Sequence, residues 1–253
     1  MKLGDYFKNK RVLITGASSG IGAALAIQMS KWDAHLVLVG RNEGRLADVA
    51  GKCGQNTALI CGDLRDPSVI NRIQKSAEAA PMDIVILNAG TASYDADESF
   101  DAAQFNELIN SNVTTMAHCV QAVLPSLRKS RGQLALMSSL AAYGGLPKSS
   151  GYGAGKAAVR LLAQSLDLDF RHLGVPVTCI CPGFVQTPLT DQNRFPMPFL
   201  IDVDSAVIRI AKGLKARSHE IHFPKRLSLL LKLVMSLPAA WQYQLLRWAT
   251  ARL

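Results

Sequence analysis

Six short runs of β-branched or leucine-rich residues, at 12–15, 36–39, 58–61, 84–87, 134–137 and 177–180, recur along the chain with helix-length segments such as 21–31 and 68–79 between them. The runs are apolar at successive positions, so both faces of each strand have to be covered. Strands joined through helices pair in parallel, and the pattern therefore predicts a doubly wound α/β fold with helices on both faces of the sheet. HEIHFP at 219–224 supplies one more strand, which makes about seven. A chain of 253 residues, 49% of them hydrophobic, is long enough for one large core. No long repeat, low-complexity tract or linker-like stretch interrupts the chain before residue 190, so 1–253 is read as a single domain.

Charge is unevenly placed. From Arg209 onward nine basic residues face one acid, Glu220, and this tail carries nearly all of the net charge of +9. The preceding 200 residues hold no basic groove interleaved with stacking aromatics, so nucleic acid is not an expected partner. The five cysteines, Cys53, Cys61, Cys119, Cys179 and Cys181, lack zinc-type spacing and read as reduced thiols, with no metal expected. The first residues run into a strand without the apolar core of a signal peptide. The longest apolar stretch, 227–240, is interrupted by Lys232 and Pro238 and falls short of the ~20 residues a spanning helix needs. A cytoplasmic protein is expected.

The first strand ends in TGASSGIG, which sets Gly16, Ser18, Ser19, Gly20, Ile21 and Gly22 at a strand-to-helix turn. Glycines there let the backbone approach a pyrophosphate that the helix N-terminus faces, as in a Rossmann fold. At the tip of the second strand, where an acid would select NAD, stand Gly40 and Arg41. A guanidinium pairs with a 2′-phosphate, so NADP(H) is the expected cofactor. After the third strand, Asp63 is placed to accept a hydrogen bond from the adenine amino group and Leu64 to cover the ring. After the fourth, Asn88 can tie neighbouring strands together through its amide, while Ala89 and Gly90 leave room for a ribose.

Tyr152 and Lys156 in YGAGK are four apart and share one helix face. A buried ammonium beside a phenol favours the phenolate, so the pair is expected to lower the phenol pKa from ~10 and make Tyr152 usable as an acid near neutrality. Ser139 follows a strand end, where side chains meet the ligand crevice of an open sheet, and can donate to a carbonyl oxygen.

With these motifs in this order, residues 11–187 resemble the short-chain dehydrogenase/reductase family, the NADP-preferring type with a basic, apolar C-terminal extension. The resemblance implies interconversion of a ketone or aldehyde and an alcohol by hydride transfer, with Tyr152 as general acid/base. It makes Ser139, 13 residues before the tyrosine, the catalytic serine rather than Ser138. It adds Asn112 of INSNVTT to the catalytic set as the holder of a relay water, and gives Lys156 a second role on the nicotinamide ribose. Pro182, Gly183, Phe184, Val185 and Thr187 of CPGFVQT match the segment bordering the nicotinamide. The family also implies a homodimer or homotetramer through helices near 105–125 and 153–170. A nucleotide-binding regulator without catalysis, and an epimerase or dehydratase using the same tyrosine, are the competing readings.

Two segments carry the substrate question. Residues 187–204, with Pro188, Pro196 and Pro198 beside Phe195, Met197 and Phe199, cannot be helical throughout and read as an apolar flap. In the extension at 225–253, Leu227, Leu230, Leu231, Val234 and Met235 recur at helical spacing beside Arg226 and Lys232, as in helices that lie on anionic membranes. Packing over the cleft or against another subunit is the alternative for that stripe. Extensions of this type in the family accompany hydrophobic or lipid-like substrates.

Overall fold

The computed structural model describes residues 2–95, 99–193 and 195–250. Its strands are β1 (Arg11–Thr15), β2 (His35–Gly40), β3 (Thr57–Cys61), β4 (Ile84–Leu87), β5 (Gln133–Met137), β6 (Val177–Pro182) and β7 (Glu220–Phe223). They form one parallel sheet in the order β3-β2-β1-β4-β5-β6-β7. The connections are α1 (Gly20–Ser30), α2 (Glu43–Gly51), α3 (Pro67–Ala79), α4 (Ala102–Ile109), α5 (Thr115–Ser130), α6 (Ser150–Phe170) and α7 (Val203–Lys215).

Alternate residues of each strand enter opposite halves of the core. Val12, Ile14, Leu36, Leu38, Ile84 and Ile86 pack with Leu25 and Met29 of α1 and with Ile210 and Leu214 of α7. Leu13, Val37, Val39, Val85 and Leu87 pack with Ile73 of α3, Val123 and Leu127 of α5, and Val159 of α6. This two-sided burial is why the strands are apolar at successive positions. Helix starts are local: Asn42, Asp66, Asp101 and Asp202 each accept a backbone N–H from the first turn of α2, α3, α4 and α7. α1 has no such side-chain cap and no acid in its first turn.

Strand order reverses between β1 and β4, and there the sheet opens at its carboxyl end. The flap ends are zipped together: Gln186 N donates to Ile201 O (2.9 Å) and Ile201 N to Phe184 O (3.1 Å). Between them the chain makes one short 3₁₀ turn at Thr190–Gln192, consistent with the non-helical expectation.

The C-terminal segment forms a helical hairpin, α8 (Lys225–Met235) and α9 (Ala239–Thr250). Here the structure differs from the stripe read in the sequence. Leu227 and Leu231 pack on the core, and Met235 rests against Gly144, so this side of α8 faces the protein. Of the five stripe residues only Leu230 is exposed. A second apolar side, with Leu229 and Leu233 beside Leu230, points outward. Periodicity finds the amphipathic repeat, but two apolar sides on one helix leave it to tertiary packing to choose which is covered.

Glu220, at the start of the edge strand, anchors this hairpin. It accepts from Tyr143 Oη (2.7 Å), Arg160 Nε (3.0 Å) and Lys232 Nζ (2.7 Å), joining the segment after β5 to α6 and α8. Burial opposes its ionisation, yet the hydrogen bonds from Lys232, Tyr143 and Arg160 outweigh it and hold the carboxyl at about 2. A depressed carboxyl contributes stability that is complete above its ordinary value of 4.5 and is lost as pH falls towards about 2. Glu220→Gln should therefore lower unfolding free energy by about 2 kcal/mol at neutral pH. In urea titrations the deficit should close as pH is lowered through that window.

Candidate active site

The opening between β1 and β4 leads into a cleft of about 410 Å³. Of the catalytic and cofactor-binding residues singled out in the sequence, all line it except Asn112, Gly22 and Phe184. Its floor is a hydrogen-bonded seam. Thr15 Oγ1 accepts from Asn88 N and Ala89 N, both at 3.0 Å, and Asn88 Nδ2 donates to Thr15 O (3.1 Å) and Gly16 O (3.2 Å).

The glycine turn is built for close approach. Gly16 adopts φ +66°, and a Cβ there would lie 2.8 Å from Ala89 Cα. Gly22 lies outside the cleft: a Cβ on it would meet Gly16 O at 2.3 Å, so its part is to let α1 press against the turn. The uncapped first turn of α1 directs its N–H groups into the cleft beside Ser18, Ser19 and Gly20, a donor set that fits a pyrophosphate.

At the far end stand three guanidiniums, Arg41, Arg45 and Arg65. Asp63 does not present a vacant carboxylate for adenine. Arg65 Nη2 (2.8 Å) and Nε (3.1 and 3.2 Å) grip both its oxygens, and Arg41 Nη1 stands 3.9 Å away. The Arg65 hydrogen bonds hold the Asp63 carboxyl below its ordinary value. Arg45 and Arg65 gave no signal in the sequence; the capping of α2 by Asn42, which accepts from Arg45 N at 2.9 Å, brings Arg45 to the rim.

At the other end, Ser139, Tyr152 and Lys156 come together from β5 and α6. Ser139 Oγ accepts from Ala141 N (3.1 Å) and donates to Pro182 O (3.4 Å), with the Tyr152 hydroxyl beside it. Ser138 faces away, donating to Lys156 O at 2.7 Å. Lys156 is buried, with Nζ 3.0 Å from Met137 O and 5.7 Å from the centre of the Tyr152 ring.

The expected lowering of the phenol pKa is not what this geometry produces. Burial pushes Tyr152 up, the Ser139 hydrogen bond pulls it down, and nearby Tyr94 pushes it up again, for a net rise. Lys156 does not offset this, since its ammonium is itself disfavoured: burial lowers it from 10.5 to about 8. Asn112 sits in a π-helical turn, Asn110–Thr114, between α4 and α5. Its amide is taken up by Thr91 N and O and by Leu108 O, all at 3.0 Å, so the side chain braces the loop after β4. Gly90 makes room for it, since a Cβ would lie 2.6 Å from Asn112 Oδ1 and 3.3 Å from Lys156 Nζ.

Above the tyrosine, Tyr94, Phe184 and Phe195 form an aromatic cap. The Tyr94 and Phe195 rings meet edge-on at 5.4 Å, Phe195 and Phe184 at 6.0 Å, and Tyr94 Oη donates to Asn193 Oδ1 (2.8 Å). Tyr94 lies in a sequence stretch with no motif, and only the fold brings it to the flap.

The family model for short chain dehydrogenases matches residues 10–196. The chain belongs to that family. Among relatives, an uncharacterized oxidoreductase of Myxococcus xanthus is 35% identical over 235 residues, covering 90% of this chain and 93% of that one. An uncharacterized oxidoreductase of Staphylococcus epidermidis is 33% identical over 215 residues, covering 84% and 94%. A short-chain dehydrogenase from Sphingobium yanoikuyae, solved in complex with NADPH, superposes with a TM-score of 0.78 at 28% identity, covering 91% of this chain and 97% of that one. The dehydrogenase chain described here therefore has the family's parallel sheet and cleft through most of its length.

Lys156 offers a test that does not depend on substrate. A lysine whose folded pKa is depressed destabilises the protein below about 8 and ceases to do so as pH rises to 10.5. Lys156→Met should remove that rise. Relative to the variant, the wild-type protein should gain on the order of 3 kcal/mol between those two pH values, measured by urea unfolding.

Proposed function

We propose that this dehydrogenase uses NADP(H) to interconvert a ketone or aldehyde and an alcohol, with Tyr152 transferring the proton. The observation that carries the reading is the convergence of Ser139, Tyr152 and buried Lys156 on one cleft that the three guanidiniums also line. The NADPH complex of the Sphingobium relative supports the choice of cofactor. So do Arg41 at the tip of β2, preceded by Gly40 and not by an acid, and Arg45 on α2.

Bound in the cleft, the dinucleotide supplies or accepts the hydride. The chain supplies the rest. Gly16, Ser18, Ser19, Gly20 and Ile21 hold the pyrophosphate, Arg41 and Arg45 the 2′-phosphate, and Leu64 covers the adenine. Asp63 acts through Arg65 at the same rim. Asn88, Ala89 and Gly90 border one ribose, and Pro182, Gly183, Val185 and Thr187 border the nicotinamide. Ser139 donates to the substrate oxygen, and Tyr152, protonated at neutral pH, gives it a proton. Lys156, charged below about 8, lies within reach to stabilise the phenolate left behind. Asn112 keeps the Gly90 loop in register with Lys156.

Residues 187–204 serve as the substrate flap. The aromatic cap of Tyr94, Phe184 and Phe195 favours a hydrophobic substrate. A non-catalytic regulator would have no use for the hydroxyl pair and the buried ammonium together. An epimerase or dehydratase would turn over substrate without net NADPH consumption. Leu161 and Leu168, 65% and 82% exposed on α6, support a homodimer or homotetramer through that helix.

Two substitutions test the reading. Tyr152→Phe should keep NADPH binding and lose at least ~90% of turnover on apolar ketones, followed by NADPH absorbance. Arg41→Ala should raise KM for NADPH at least ~10-fold and leave that for NADH little changed. Retention of activity by the first variant, or equal losses with both cofactors in the second, would contradict it.

A further inference from the structure

The α8–α9 hairpin has two apolar sides, and only one is covered. Inward, Leu227, Leu231, Met235 and Leu246 pack on the body. Gln242 closes the turn between the helices, its Nε2 donating to Met235 O (3.1 Å) and Leu237 O (2.7 Å). Outward, Leu229, Leu230 and Leu233 of α8 are 56–63% exposed. On α9, Trp241, Leu245 and Trp248 repeat at four and then three residues and so share one side. Their exposures are 61%, 41% and 80%. Large apolar side chains in such a cluster are costly to leave in water.

The charge around this patch says what covers it. Lys225, Arg226 and Arg247 are exposed on the same two helices. No aspartate or glutamate occurs anywhere from residue 221 to 253. A second copy seated symmetrically, patch on patch, would bring basic helix against basic helix with no acid in either to compensate. An anionic lipid surface answers both features: its interior takes the leucines, its headgroup layer suits the tryptophan rings, and its phosphates pair with the arginines. No helix among the described residues is long and apolar enough to cross a membrane, so contact would be with one leaflet only.

We infer that the outward side of the α8–α9 hairpin docks the protein on anionic bilayers. The site lies beside the cleft, because α8 starts directly after Pro224, whose Cδ would be 3.0 Å from a Cβ on Gly183 in the cleft wall. A substrate dissolved in the leaflet would then have a short path to the flap. This docking stands independently of the reaction assigned above.

The test is sedimentation of the full chain with vesicles of phosphatidylcholine alone or mixed with phosphatidylglycerol, together with tryptophan emission. Trp241 and Trp248 are two of three tryptophans, and the third, Trp32, is stacked on Phe7. Binding to the mixed vesicles, weakened by salt and accompanied by a blue shift, is expected. A W241S/W248S variant should bind at least ~10-fold more weakly while keeping its circular dichroism and thermal midpoint, since both side chains are exposed. No binding to the mixed vesicles at low salt, equal binding to neutral ones, or undiminished binding by the variant would overturn the inference. So would a wild-type protein that ignores vesicles but self-associates through this patch, as shown by a variant of lower mass in sedimentation equilibrium.

Discussion

The seam between the ends of β1 and β4 is the constraint on which the cleft depends. At a reversal of strand order the chain leaves the two strands in opposite directions, so the last peptide groups of β1 and β4 lose regular partners on that side. Thr15 and Asn88 meet the need with side chains, the hydroxyl accepting two N–H groups and the amide reaching two carbonyls. That stitch holds the glycine turn against the Ala89–Gly90 loop, and the loop in turn rests on Asn112 and stands beside Lys156. The glycine-turn end of the cleft and the end that holds Tyr152 and Lys156 are thus fixed to one short length of backbone.

Burial sets the chemistry at the proton-transfer end. Two groups that pair well in water are both withdrawn from it, and each is pushed towards its neutral form. A protonated phenol beside Ser139 is the form that the proposed proton transfer requires. The lysine keeps its charge only up to about 8, which makes its environment, more than its identity, the controlling feature. At the opposite end Arg41 and Arg65 share Asp63, and with Arg45 beside them the rim holds more cations than anions.

The outer layer follows a different logic. Glu220 collects bonds from Tyr143, Arg160 and Lys232 and so ties the C-terminal hairpin to the segment that follows Ser139. The hairpin is a fixed part of the cleft's surroundings rather than a loose tail. Its inward residues complete the core, and its outward ones leave an apolar patch on helices whose exposed charges are basic.

Much of this was legible in the sequence. Continuous apolar runs separated by helix-length segments determine a parallel sheet covered on both faces, because no other arrangement buries such strands. The glycine turn, Arg41, Asn88, Ser139, Tyr152 and Lys156 were legible too, because backbone approach, charge and spacing act over a few residues. Only the tertiary structure decided that Asp63 serves Arg65, that the Asn112 amide braces a loop, and that Gly22 is a packing residue. It alone brought Tyr94 to Phe195 and Arg45 to the cleft rim, raised the tyrosine instead of lowering it, and chose which side of α8 is covered. Each of these depends on partners and on burial contributed by segments distant in the chain, and neither distance nor dielectric is written in local spacing.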